Sequence, residues 1–116
     1  MQDLKQRTFH FAVNTGKLIQ ALPYNTVNKA YGAQLIRCSS SVGANYRAAR
    51  RAKFTPDFIN KFKIVEEECD ESIYFLELLR EFNSLLITEI NDLIKEATEL
   101  LKIIVASINT TRSNMK

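Results

Sequence analysis

SVGANYRAARRAKFTPDFINKFK, residues 41–63, contains a break between two long helical patterns. Thr55-Pro56-Asp57 within it has the features of a helix start, with a capping residue, a proline at the first helical position and an acid in the first turn. The sequence therefore predicts that one helix ends near Ala52 and that another begins at residue 56. The chain turns back on itself between them.

Apolar and small residues on both sides of this turn recur at steps of three and four, which is typical of two helices that pack along a seam. Several predicted pairs set a small residue opposite a large one, as interdigitating helices do. The pairs are Ala49 with Phe58, Asn45 with Phe62, Val42 with Val65, Cys38 with Cys69, Leu35 with Ser72 and Tyr31 with Leu76. The break therefore predicts an antiparallel helical hairpin.

Two further helical patterns flank the hairpin, and the chain has only two prolines, three glycines and no strong alternating strand pattern. Because the connections are short, we expect a single all-α domain over residues 1–116, an up-down-up-down antiparallel four-helix bundle. The predicted helices cover residues 4–22, 26–52, 56–82 and 89–109, with a frayed polar tail at 110–116. The predicted caps are Asp3, Asn25 or Thr26, Thr55 and Thr88.

Positive and negative charges are segregated along the chain. Residues 1–65 carry 11 Lys and Arg against 2 acids, whereas residues 66–116 carry 5 against 11. In the predicted bundle the hairpin lies at the same end as both termini. That end therefore collects Lys5 and Arg7 together with the cations of the hairpin, and Lys102, Arg112 and Lys116 lie nearby. The same register places the acids of residues 66–71 beside Arg37. At 1.5 Å per residue, these acids lie roughly 7–15 Å along the bundle axis from the basic end. This is about a Debye length at physiological salt, so the basic end is not neutralised within one subunit.

An anionic partner is one interpretation of this basic end, and a solvated helix corner is the other. For an RNA or DNA backbone, the candidate phosphate contacts are Arg47, Arg50, Arg51, Lys53, Lys61 and Lys63. Tyr46 and Phe54 are candidates for stacking on bases, and each also fits packing against a neighbouring helix. No sequence-reading module is present, so the predicted binding follows the backbone or the shape of the nucleic acid.

The sequence gives no support for catalysis. A di-iron site in a bundle needs Glu-x-x-His pairs, but no glutamate lies three residues before His10, the single histidine. Cys38 and Cys69 face each other across helix axes about 8–10 Å apart, which favours core thiols over a disulfide. Residues 39–41 are serines without a paired base. We therefore expect no enzyme, no cofactor, no metal and no small-molecule substrate.

The chain has no apolar stretch near the ~20 residues that a membrane span needs. Its first residues, MQDLKQ, contain no apolar signal-peptide region. The sequence therefore predicts a cytoplasmic protein without a membrane partner.

Residues 35–79, LIRCSSSVGANYRAARRAKFTPDFINKFKIVEEECDESIYFLELL, resemble a known bacterial family. The matching core is SVGANYRAA at residues 41–49, then Asp57-Phe58-Ile59, Lys61, Glu67-Glu68 and the run from Tyr74 to Leu79. This pattern resembles the four-helix-bundle family encoded in intervening sequences of 23S ribosomal RNA genes. One departure is Phe75, where the family pattern has tryptophan.

The resemblance implies an up-down bundle whose relatives assemble as ring-like homopentamers. The chain is also similar to the accessory variability protein of diversity-generating retroelements, a basic pentamer that engages nucleic acid and a reverse transcriptase. We therefore expect a non-enzymatic homo-oligomer that binds RNA or DNA through its basic hairpin end. The alternative is a protein-interaction scaffold, in which the basic end pairs with an acidic partner protein or with residues 66–71 of a neighbouring subunit.

Overall fold

The computed structural model describes residues 3–115, which form four α-helices joined by short loops. They are α1 (Leu4–Ala21), α2 (Thr26–Arg50), α3 (Thr55–Phe82) and α4 (Ile87–Asn114), with a 3-10 turn at Ser84–Leu86 before α4. Each helix packs on two others in cyclic order, since α2 contacts α1 and α3 and α4 contacts α3 and α1. The predicted antiparallel four-helix bundle is confirmed, with dimensions of 50 × 22 × 21 Å.

Two of the four predicted N-caps are present. Asp3 accepts a hydrogen bond from the Gln6 backbone at 2.9 Å, and Asn25 accepts one from the Asn28 backbone at 2.8 Å. Thr55 and Thr88 are not caps, because Thr55 is the first residue of α3 and Thr88 is the second residue of α4. Proline is tolerated throughout a first turn, so α3 begins one residue before Pro56. The 3-10 turn leads directly into α4 and leaves no gap for a cap at residue 88.

The C-terminal ends of α2 and α4 also differ from the prediction. α2 ends at Arg50 in a tightened turn, where the Arg51 backbone N–H donates to the Ala48 carbonyl at 3.1 Å. Residues 110–114 of the predicted frayed tail are helical, and the half-buried Thr111 hydroxyl donates to the Ser107 carbonyl at 2.8 Å. Residues 1, 2 and 116 lie outside the described residues.

The predicted α2–α3 seam forms the centre of the core. Its fully buried members are Leu35, Cys38, Val42, Ala49, Val65, Cys69, Ser72 and Leu76. Burial of each large aliphatic side chain contributes about 1.5–3 kcal/mol. In the predicted Asn45–Phe62 layer the partners differ, because the Tyr46 ring stacks on Phe62 and the Asn45 amide donates to the Ser41 carbonyl of its own helix at 2.9 Å. The Ser72 hydroxyl, predicted opposite Leu35, donates to the Cys38 thiol at 3.4 Å.

The α1–α2 and α3–α4 loops lie at one end of the bundle, the loop end, which two buried asparagines tie together. Asn28 Nδ2 donates to Asn83 Oδ1 at 3.0 Å, and Asn83 Nδ2 donates to Asn28 Oδ1 at 2.8 Å. The same nitrogens donate to the Pro23 and Leu79 carbonyls, at 2.9 and 2.8 Å. This network fixes the axial register of α2 against α3, and so the position of the hairpin at the opposite end.

α1 has 18 residues, whereas α2, α3 and α4 have 25 to 28. Thr8 of α1 lies against Gly43 of α2, where an added Cβ would be 3.1 Å from the Thr8 hydroxyl. In antiparallel register, this contact sets Leu4 level with Arg47. The hairpin therefore extends past the start of α1. At 1.5 Å per residue, Arg50 lies roughly 5 Å and Lys53 roughly 9 Å beyond the level of Leu4.

Candidate nucleic-acid interface

The six cations predicted as phosphate contacts all lie on the α2–α3 hairpin. We call this set the hairpin corner: Arg47, Arg50, Arg51, Lys53, Lys61 and Lys63. The last turn of α2 carries Arg47 and Arg50, the loop carries Arg51 and Lys53, and the second and third turns of α3 carry Lys61 and Lys63. Lys61 is partly buried, and the other five side chains are exposed.

The hairpin corner has little internal charge compensation. Lys61 Nζ lies 3.8 Å from Asp57 Oδ1, an exposed pair four residues apart on α3. Such helical pairs contribute only about 0.3–0.5 kcal/mol. Within residues 3–115 the other corner cations, Arg47, Arg50, Arg51, Lys53 and Lys63, make no ion pair. The fold therefore concentrates cations here with little compensation from acidic side chains. Arg47 and Arg50 also lie in the last turn of α2, where the helix dipole favours cations.

Two arginines elsewhere in the bundle, Arg37 and Arg7, are paired across helices. Arg37 on α2 binds Glu68, with Nη1 3.3 Å from Oε2, and also binds Glu71, so the predicted neighbourhood of Arg37 is confirmed. Arg7 on α1 makes a two-bond contact with Glu96 on α4, at 2.6 and 3.1 Å. The bonds to Glu96 raise the pKa of Arg7 above its ordinary value. Arg7, predicted near the basic end, is thus neutralised and does not add to the hairpin corner.

The two candidate stacking residues have different environments. Tyr46 is partly buried, and its ring lies on that of Phe62 with centroids 5.9 Å apart and an interplanar angle of 17°. Phe62 also contacts Phe58, at 4.3 Å between centroids. One face of Tyr46 is therefore covered by an aromatic cluster beneath the corner. Phe54, in contrast, is 73% exposed at the tip of the hairpin.

A second exposed surface lies along the groove between α1 and α2. Its lining includes Lys5, Phe9, Ser40, Gly43, Ala44 and Arg47, so it meets the hairpin corner at Arg47. Phe9 is 60% exposed, and Val13 one turn later and Ile36 on α2 are also exposed. This surface could have been predicted from the sequence, because Phe9 and Val13 are apolar residues outside the buried stripe of α1. The buried stripe consists of Thr8, Phe11, Thr15 and Leu18.

The described residues contain no group of three or more His, Cys, Asp or Glu side chains placed to hold a metal ion. Cys38 and Cys69 are free and buried, as core thiols. Burial raises the pKa of both thiols, that of Cys69 to about 12, so both stay protonated near neutral pH. Protonated buried thiols are poor nucleophiles.

Across residues 3–115 the helices are too short or too polar for any of them to cross a bilayer.

The comparisons with known proteins bear on the whole fold. The model of the family described as 23S rRNA-intervening sequence protein matches residues 2–106, a span that includes the hairpin corner. A crystal structure of a protein with unknown function, from the S23 ribosomal protein family of Bacteroides thetaiotaomicron, is also similar. It superposes with a TM-score of 0.80 at 31% identity, over 91% of this chain and 98% of that chain. No curated protein matches the chain. The chain therefore belongs to the 23S rRNA-intervening sequence protein family.

Proposed function

We propose that this protein is a non-enzymatic, cytoplasmic homo-oligomer that binds the backbone of RNA or DNA through its hairpin corner. The observation that carries the proposal is the group of exposed corner cations that make no ion pair within residues 3–115. Like charges held close together repel, so their clustering opposes the stability of the monomer. Phosphates of a nucleic acid supply the compensating charge.

Binding of this kind depends strongly on salt, because each neutralised phosphate releases condensed counterions. The slope of log affinity against log salt is about −0.9 per contact for duplex DNA and about −0.7 for single strands. Contacts to phosphates carry no sequence information. We therefore expect binding that tolerates changes in base sequence.

Self-association is the second part of the proposal. Phe9, Val13 and Ile36 expose apolar surface on α1 and α2. Contact with another subunit removes such surface from water, which stabilises the assembly by about 25 cal/mol for each Å² of apolar surface that is buried. An assembly brings several hairpin corners together, which raises the overall affinity without adding a new kind of contact.

A protein-interaction scaffold is the competing proposal. Glu66, Glu67 and Asp70 on α3 make no ion pair within residues 3–115. These acids are available to the hairpin corner of a neighbouring subunit. In that arrangement the complementary charges are used inside the oligomer, and raised salt separates the subunits.

The test is binding of a structured RNA and a duplex DNA over a range of salt, with the oligomer mass recorded throughout. The variant is Arg47→Ala/Arg50→Ala/Arg51→Ala. The matched control, Lys17→Ala/Lys29→Ala/Lys95→Ala, removes the same charge from exposed positions outside the corner. We expect the corner variant to reduce the magnitude of the slope of log affinity against log salt by about 2 to 3, with the oligomer mass unchanged. The control should keep the slope of the unmodified protein. Absence of binding near physiological salt, or loss of the oligomer in the corner variant, favours the scaffold.

A further inference from the structure

Phe54 occupies a position that folding does not explain. It is the residue before α3, in extended backbone with φ −121° and ψ 143°. Polar residues that accept a hydrogen bond are preferred here, and a phenyl ring accepts none from the backbone. With 73% of its surface exposed, Phe54 also contributes little hydrophobic burial. Neither capping nor core packing accounts for an aromatic residue at this tip.

The surroundings of Phe54 are cationic. Phe54 lines an open depression with Arg51, Lys53 and Lys61, and the small side chains of Ala48 and Ala52 leave space beside the ring. Asp57 also lines it and binds Lys61. Arg51 and Lys53 make no ion pair within residues 3–115. The depression thus offers one exposed aromatic face with unpaired cations next to it.

An exposed aromatic ring among cations is the combination that binds unpaired nucleotides, because the ring stacks on a base while the cations contact the flanking phosphates. Bases inside a duplex already have neighbours on both faces. A ring at the tip of a hairpin reaches a base only where that base is unstacked, as in a loop, a bulge or a free strand.

We propose that the hairpin corner binds unpaired nucleotides, with one base stacked on Phe54 and the adjacent phosphates on Arg51, Lys53 and Lys61. This inference rests on the proposed function and narrows it from nucleic acid in general to single-stranded or looped segments. Of the two candidate stacking residues, it assigns the stacking to Phe54, because the Tyr46 ring is covered on one face by Phe62.

Affinity measurements on the full chain test the proposal, with oligouridine and a blunt RNA duplex of the same length as probes. We expect Phe54→Ala to weaken binding of oligouridine roughly five- to hundredfold and to leave duplex binding unchanged. Phe54→Tyr keeps the ring and the affinity, whereas Phe54→Leu keeps only the apolar character and weakens binding. The matched control is Tyr24→Ala, an exposed aromatic residue at the loop end, which changes neither affinity.

A spectroscopic measurement separates stacking from a general loss of affinity. The chain has no tryptophan, so Phe54→Trp introduces a single indole fluorophore and Tyr24→Trp provides its control. We expect oligouridine to quench the fluorescence of Phe54→Trp and the duplex to leave it unchanged, with Tyr24→Trp unaffected by both.

Each opposite result has a distinct meaning. Equal effects of Phe54→Ala on both probes, or binding of oligouridine without quenching, overturn the stacking inference and leave backbone binding in place. Failure of the unmodified protein to bind either probe overturns the proposed function itself. A lower oligomer mass in Phe54→Ala, measured by light scattering, makes Phe54 a contact between subunits and also overturns the inference.

Discussion

At the loop end of the bundle, Asn28 and Asn83 are buried and exchange two hydrogen bonds. At the hairpin corner, Arg47, Arg50 and Arg51 are exposed and make no ion pair within residues 3–115. Both ends have short connections, so a turn alone requires neither arrangement. The loop end satisfies its polar groups internally, whereas the corner leaves its charges for solvent or a partner. The difference separates residues that determine folding from residues that are available for binding.

The largest expected effect on stability is at the loop end. Asn83→Ala leaves the buried Asn28 amide without its side-chain partner, so we expect the free energy of unfolding to fall by about 1–3 kcal/mol. Urea denaturation followed by circular dichroism measures this loss. Nucleic-acid affinity should not change, because the altered residue lies at the far end of the bundle from the hairpin corner.

A double-mutant cycle sharpens that result. Since the two asparagines share one network, Asn28→Ala/Asn83→Ala should cost less than the sum of the single changes. If the two losses simply add, the asparagines act independently, and the loop end is not the coupled unit described above.

A smaller effect distinguishes a paired arginine from an unpaired one. Arg7 makes two hydrogen bonds to Glu96, so Arg7→Ala should lower the free energy of unfolding by about 1 kcal/mol. Arg51→Ala, which removes the same type of side chain from the corner, should change it by less than about 0.5 kcal/mol. Urea denaturation of both variants at one salt concentration makes the comparison. A large loss for Arg51→Ala contradicts the separation of folding from binding residues.

The helix pattern, the bundle and the α2–α3 seam could be predicted because they depend on residue spacing along one chain. Asp3 and Asn25 could also be predicted as caps, since capping is local. The Asn28–Asn83 pair was missed because each residue alone is an ordinary polar residue. Yet both continue the seam by one turn, Asn28 before Tyr31 and Asn83 after Leu79, and that spacing was a usable signal.

The residues of the candidate site could be predicted from the sequence, whereas their exposure and their contacts could be predicted less well. The location of the corner cations could be predicted because all six lie in or close to the turn at residues 51–54. The different exposures of Tyr46 and Phe54 depend on helix rotation and on where α3 begins, which local rules misplaced by one residue. The pairing of Arg7 with Glu96 and the offset of α1 depend on how far helices slide along one another. Spacing along the chain does not define that distance.

Another small effect is expected at Asp57, a carboxylate that lies within the corner depression. Asp57→Asn removes the ion pair with Lys61 and a favourable charge in the first turn of α3. It should therefore lower the free energy of unfolding by about 0.3–1 kcal/mol. The same change frees Lys61 and removes a charge that repels phosphates, so nucleic-acid affinity at low salt should rise a few-fold. Opposite signs for stability and affinity at one residue are expected only where a folding contact occupies part of a binding surface. If Asp57→Asn weakens binding, Asp57 instead positions Lys61 for the phosphate, and the carboxylate belongs to the site rather than competing with its ligand.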